Sequence, residues 1–446
     1  MDSISRGPHG PLSYPSQKCV LEHLEANKRF LTAIHCPSLR VIEKQIPLHI
    51  DYLHLTEIST RFNETSYMLG IYRHFPAGSQ TPIFFKNIND DGGAHYDLDR
   101  FGREDWEPVN VLTPGDIPTS NPQPNWQNYQ GAYWEQYIRN NHIRLIELSN
   151  MEETSQTRQE KDKLRAIVYS DEFVEFGASV PFDMYLQFTV LQEPKRRELM
   201  VYATKRHEAQ KYLMTKLLGG RELPIRVRTL DISGESLVLR LPLGVKFRIE
   251  KFHTNAHLDH MMDFPIFDPR SFPLHTIQIR GNSPFEFVEN HYHPVIQNAR
   301  NVFLWPKNGN FDWFSIVSKY RTQSHVQLRE CNFSVAQYTA IVDMIIRDHR
   351  EIGTRFSFIT TKLAVLEEVM VALRQRGQQE KRQVFLPMRT AAELRVFFDK
   401  VQNATDDWAL VIDVVVKERE GPYIFCALSY FVRFFAFYQL VLNKRK

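Results

Sequence analysis

Between Tyr14 and Ile46 the apolar residues recur at helical spacing. Val20, Leu21 and Leu24 share one face after a turn at Pro15 and Ser16. Phe30, Leu31 and Ile34 follow Asn27, which is placed to cap them, and Leu39, Ile42 and Ile46 follow Pro37, which opens a third helix that Pro47 stops. The pattern predicts three short helices.

After Pro47 the period shortens. IPLHIDYLHL and SYMLGIYRHF alternate apolar and polar residues and predict a pair of strands. Residues 77 to 130 are rich in Pro, Asn, Asp and Gly and predict a long irregular connection. Helical spacing returns from Trp134 to Leu148 through Tyr137, Ile138, Ile143 and Ile146, and the polar run SNMEETSQTRQEKDK then reads as a solvated linker or helix extension. A helix from Arg206 to Leu218 is predicted with Ala209, Tyr212, Leu213 and Leu217 inward, ending at Gly219 because glycine tolerates positive φ.

Beyond that helix, strand-like segments centre on Leu230, Ile249, Ile277, Phe303, Leu328, Phe358, Phe385 and Ile412, at intervals of 19 to 30 residues. Helices are predicted in SVAQYTAIVDMIIRD, capped by Ser334, in TKLAVLEEVMVALRQ and in TAAELRVFFDKV. A strand and a crossover every 25 to 30 residues is about the period of a leucine-rich-repeat solenoid, whose units bury their apolar faces by stacking. Strands so separated are expected to be mainly parallel, with those around Leu230 to Phe358 side by side in sequential order.

The fold class expected is α+β and α/β. A short N-terminal helical module occupies residues 1–47, a β-containing region with its loop and helix 48–149, and a polar linker 150–165. An irregular leucine-rich-repeat-like α/β domain follows over 166–416, and an apolar tail over 417–446. Leucines and an asparagine ladder of the repeat consensus are absent, so an ordinary α/β domain is the alternative.

Charge changes the picture by exclusion. With 55 Lys plus Arg against 52 Asp plus Glu, a net charge of +3 offers no electrostatic footprint for nucleic acid. The cysteines Cys19, Cys36, Cys331 and Cys426 form neither a disulfide framework nor a zinc-ligand spacing. The first thirty residues contain no apolar run of signal-peptide length, so a cytoplasmic or nuclear location is expected.

Candidate chemistry is sparse. His253, His257 and His260 with Asp259 and Asp263 are weak candidates for metal ligands, and His291 and His293 lie further on. His253 and His257 stand at i and i+4, but no Glu sits as an HEXXH zinc helix requires. YDLDRFGREDWE begins like a calcium loop, yet Phe101 and Pro108 occupy ligand positions, so an Asx-stabilised turn is expected. GxSxG, GxxxxGK[ST] and GxGxxG are all absent. The expectation is no enzyme, no catalytic residue and no cofactor, with a metal-dependent enzyme in an unfamiliar fold as an alternative.

Residues 422 to 442 are almost wholly apolar, interrupted by Arg433 and Gln439. The run is long enough for a bilayer core of about 30 Å, although a mid-membrane arginine costs about 2.5 kcal/mol or more. A terminal core element is the favoured reading, and a tail anchor with the bulk of the chain cytoplasmic is the alternative.

Leu12, Pro15, Val20, Leu24, Arg29, Cys36, Leu39 and Ile42 resemble the sparse pattern of an F-box, the module that attaches substrate adaptors to the Skp1 subunit of cullin ubiquitin ligases. The phrases YPSQKCVLEHLEANKR, YDLDRFGRED, YLMTKLLGGRELPIRV and LRLPLGVKFRIE resemble a family greatly expanded in Caenorhabditis nematodes, with domain of unknown function 3557, over most of the chain. The latter resemblance implies no mechanism. Together these readings make the chain a protein-interaction protein: an F-box-like adaptor with Skp1, a cullin and an unknown target as partners, or an interaction protein with no ubiquitin role. Leu12, Pro15, Val20, Leu21 and Leu24 are the expected partner-binding residues, with Leu12, Pro15, Val20 and Leu21 exposed in the isolated chain.

Overall fold

The computed structural model describes residues 13–78, 81–105, 111–119, 132–175, 180–232, 238–255, 258–281, 293–306, 317, 319–320, 322–389, 391–401 and 406–417. The chain divides into two compact units, residues 1–331 and 332–446.

The first unit opens with the three expected helices, α1 (Tyr14–His23), α2 (Ala26–His35) and α3 (Pro37–Gln45). Leu21, Ile42 and Ile46 form their core, with Leu24 and Leu39 packed against it. Pro37 lies in the first turn of α3 as expected, but Asn27 does not cap α2. The Glu25 carboxylate does, accepting from Asn27 N (2.9 Å) and Lys28 N (3.3 Å). Asn27 is instead buried, donating to Phe62 O (2.9 Å) and accepting from Tyr67 Oη (2.9 Å).

The strands of this unit are β1 (His49–Leu55), β2 (Ser59–Phe62), β3 (Thr65–His74), β4 (Asp97–Leu98), β5 (Glu104–Asp105), β6 (Ile117–Pro118) and β7 (Asp183–Leu191). They continue with β8 (Arg196–Val201), β9 (Ile225–Ile232), β10 (Val238–Leu239), β11 (Phe247–Thr254), β12 (Thr276–Gly281), β13 (Asn301–Pro306) and β14 (His325–Leu328). In the main sheet β14, β13, β12, β11, β9, β1, β2, β3, β7 and β8 lie in that order. From β1 to β14 every pairing is parallel, so the segments around Leu230, Ile249, Ile277, Phe303 and Leu328 lie side by side in sequential order, as their spacing predicts. From β1 to β8 the pairing is antiparallel.

Helices α4 (Ile83–Asp90), α5 (Ala132–Ser149), α6 (Ser155–Glu175) and α7 (Arg206–Leu218) complete the larger elements of this unit. Two of them correct the sequence reading. Part of the supposed irregular connection is α4, whose Phe85 packs against Phe75 and Phe182. Much of the supposed polar linker is α6: Thr154 Oγ1 accepts from Thr157 N (3.1 Å) at its start, and Arg144 of α5 pairs with Glu160 at 2.8 Å. Its polar run is a solvated helix face, with Leu164 and Val168 turned inward.

Helix α7 turns Leu217 inward as expected but otherwise corrects the expected face. Arg206, Gln210, Met214, Leu217 and Leu218 are buried, whereas Tyr212 is 64% exposed. Gly219 ends the helix in extended conformation, and the left-handed residue is Gly220 (φ 70°). A Cβ on Gly219 would stand 2.6 Å from Thr215 O, so close approach fixes that glycine.

The three-helix module is fastened to the sheet domain by buried charge. Arg29 meets Glu43 at 3.2 Å and donates to Pro47 O (2.7 Å) and Ile46 O (3.2 Å). Arg221, just past α7, reaches Glu43 at 2.7 Å. Lys44 Nζ donates to Lys216 O (2.9 Å) and Leu217 O (3.1 Å), carbonyls at the negative end of α7. Burial and the neighbouring Arg221 guanidinium lower the Lys44 ammonium to about 8.

The second unit holds the expected helices Val335–Arg347 and Leu363–Arg374, the first with Ser334 and Gln337 forming a capping box. Its strands are β15 (Arg355–Thr360), β16 (Gln378–Glu380), β17 (Gln383–Pro387), β18 (Ala392–Lys400) and β19 (Trp408–Val416). The segments around Phe358, Phe385 and Ile412 are antiparallel, against expectation. Short hairpin connections, not crossover helices, join β16 to β17 and β17 to β18. TAAELRVFFDKV is strand β18, where Ala392, Leu394 and Val396 are buried in alternation. Leu394, Phe397 and Phe398 also fit helical spacing, which is why the two periods compete there.

Candidate functional site

The parallel strands share one arrangement of side chains. Ile50, Leu53 and Leu55 in β1 are matched by Val227, Leu230 and Ile232, by Ile249, Phe252 and Thr254, by Leu274, Ile277 and Ile279, by Ala299, Val302 and Leu304, and by Gln323, Val326 and Leu328. All of these residues are 3% exposed or less. This is the L-x-x-L-x-L spacing of a leucine-rich repeat, written with Ile, Val, Phe and polar substitutes in place of leucine. Cys331, three residues after Leu328 and 1% exposed, stands where the repeat consensus takes Asn or Cys.

The intervening positions form rows on the opposite face of the sheet. One row runs His54, Asp231, His253, Gln278, Phe303 and Gln327 across β1 to β14 in register. Beside it runs the row of Tyr52, Thr229, Lys251, Thr276, Asn301 and His325. Asp231 is the hub: Tyr52 Oη donates to its Oδ2 at 2.9 Å, and Arg280 Nη2 and His253 Nδ1 stand 3.6 and 3.8 Å away. Burial and then the Asp231 carboxylate push the Tyr52 hydroxyl up to about 12. With its amide oxygen turned to Arg280, Gln278 accepts from Nε at 2.7 Å and Nη2 at 3.1 Å.

The rows end in a cation–aromatic cluster. Arg280 and Trp305 are paired across β12 and β13, with the guanidinium 5.6 Å from the indole centroid. Arg329 approaches the same indole at 4.8 Å, and its backbone N–H donates to Leu304 O (3.0 Å). Phe303 meets His325 edge to face at 5.1 Å. Chemically this face can stack, donate hydrogen bonds and pair with carboxylates, the chemistry of a recognition surface.

The residues singled out from sequence are distributed as follows. Pro15 is exposed, Val20 is 48% exposed and Leu24 is half-buried, whereas Leu21 is only 2% exposed and belongs to the helical core. Leu12 lies outside the described residues. His253 belongs to the polar face; the side chains of Asp259 and His260 lie outside the described residues, as do His257, His291 and the apolar tail 422–442. His293 Nδ1 accepts from Val295 N at 3.2 Å and starts a short helix. Among the described residues no group of three or more His, Cys, Asp or Glu is placed to hold a metal ion, and no helix is long and apolar enough to cross a membrane.

YDLDRFGREDWE supplies two structural carboxylates. Asp99 Oδ1 accepts from Phe101 N (2.8 Å) and Arg103 N (2.9 Å), the expected Asx turn. Asp97 reaches the start of α7, accepting from the backbone N–H groups of Arg206 and His207 and from Tyr202 Oη (2.8 Å), with His207 Nδ1 at 2.8 Å. Burial opposes its ionisation, but these hydrogen bonds outweigh it and hold the carboxyl at about 2.

Sequence reading missed Tyr52, Asp231, Arg280, Phe303, Trp305 and Arg329. Their signal is the apolar triplet repeated at Leu230, Phe252, Ile277, Val302 and Val326, intervals of 22 to 25 residues, which assigns the residues between to the opposite face.

Fold and site define a mixed α/β protein built on an irregular leucine-rich-repeat-like parallel array with a polar and aromatic face. Residues 205–362 match the family described as Domain of unknown function (DUF3557). That stretch takes in α7, β9, β11 to β14, helix Val335–Arg347 and β15. No curated protein matches the chain.

Proposed function

We propose that this chain is a protein-interaction protein whose parallel-sheet face recognises a target while its N-terminal helices dock a second protein. The observation that carries the reading is the polar and aromatic face in register across β1 to β14, raised on a buried apolar ladder that makes it rigid. Docking through the helices is supported by apolar side chains left on their surface, with Val20 48%, Ile34 55% and Val41 67% exposed. The F-box likeness of this segment names the partner: Skp1, and through it a cullin. In that arrangement the chain is a substrate adaptor. Affinity purification of the tagged full chain tests it, with Skp1 and a cullin expected to co-purify and Val20→Asp expected to release them. Recovery of target proteins without Skp1 removes the ligase role and keeps the recognition role.

A further inference from the structure

We infer that the end of the polar face formed by Arg280, Trp305 and Arg329 receives an acidic segment of a partner protein. The inference rests on the reading of that face as a recognition surface and specifies its ligand. Two guanidiniums lie over one indole, their carbons 5.6 and 4.8 Å from its centroid. The Gln278 amide oxygen takes Nε and Nη2 of Arg280, so that guanidinium is held in place beside the indole and offers a partner fixed positive charge.

Cations outnumber carboxylates on this part of the face. Lys251 lies in the rows, and Arg280 and Arg329 lie beside them, against the carboxylate of Asp231. Asp231 is 1% exposed and sits beside Arg280 at 3.6 Å, so it orients that arginine from beneath. Phe303, next to Gln278 in register, adds an apolar platform beside the cations. A cationic clamp on an aromatic base with an apolar neighbour fits carboxylates interspersed with a hydrophobic side chain.

The test is selection of a displayed random library of peptides of about twelve residues on the full chain, followed by affinities of the selected peptides. Peptides rich in Asp and Glu are expected. Their binding should weaken as salt rises and drop about 30-fold or more in the double variant Arg280→Gln, Arg329→Gln. Thermal unfolding of the variant, measured alongside, separates lost recognition from lost fold. Neutral or basic peptides that depend on Phe303, Arg280 or Arg329 would overturn the acidic ligand and leave the recognition face standing. No selected peptide at all, or peptides indifferent to every substitution on the face, would overturn both.

Discussion

Arg29 and Glu43 meet at 3.2 Å with both side chains 1% exposed, and Arg221 reaches the same carboxylate at 2.7 Å. One buried anion thus serves two buried cations, on segments that the chain brings together from the helical module and the end of α7. Glu43→Ala leaves both guanidiniums without their counter-charge and is expected to cost about 3 to 5 kcal/mol. Glu43→Gln keeps the shape and should cost nearly as much, read by urea unfolding. A Gln variant as stable as the parent would mean that packing, not charge, fastens the module.

Val20 and Leu21 are neighbours with opposite fates. Val20→Asp is expected to change stability by no more than about 0.5 kcal/mol, because the side chain already meets solvent. Leu21→Asp places a charge among Ile42 and Ile46 and should cost about 3 kcal/mol or more. Thermal denaturation of the two single variants checks the contrast, and only Val20→Asp can report cleanly on docking.

Asp97 makes stability depend on acid. Its folded carboxyl sits at about 2 against an ordinary 3.8, so it contributes stability that is fully present above the ordinary value and is lost as pH falls through the folded one. About 1 kcal/mol of that contribution should be gone by pH 3 and about 2 kcal/mol by pH 2. Asp97→Asn should be less stable at neutral pH and lose less on acidification, which denaturant unfolding at pH 6 and pH 3 would show.

Opposite faces of the parallel array should respond differently to truncation. Ile277, fully buried in the ladder, is expected to cost about 2 to 4 kcal/mol on replacement by Ala. Lys251→Ala, on the polar face, should stay within about 0.5 kcal/mol. Equal losses in chemical denaturation would contradict the assignment of faces.

Legibility in the sequence followed the range of the interaction. Ser334 with Gln337, Pro37 at the head of α3 and the Asx turn at Asp99 are local, and their residue types alone announce them. The order of β9 and β11 to β14 was legible too, because each of these strands pairs with the next of them in the chain. At β18 two periods fitted the same residues, and burial of Leu394 and Val396 decided for the strand. The polar and aromatic face stayed hidden for a different reason. Asp231, Arg280 and Trp305 are ordinary in sequence and become a cluster only when register sets β9, β11, β12 and β13 side by side.

Strand β1 pairs in parallel with β9, setting Leu53 beside Leu230. During synthesis β1 therefore emerges long before the strand it will join, and at roughly 5 to 20 residues per second the wait is on the order of ten seconds or more. Throughout that interval its available neighbours are β2 and β3, which follow at once in the chain. The antiparallel meander is consequently the first part of the sheet that can form, with one edge of β1 held open. When β9 arrives it finds a ready template, and β11 to β14 extend the growing edge in turn. The nascent chain must keep that edge from pairing with strangers, which makes the interval before β9 the period of greatest exposure to aggregation and of greatest demand on chaperones.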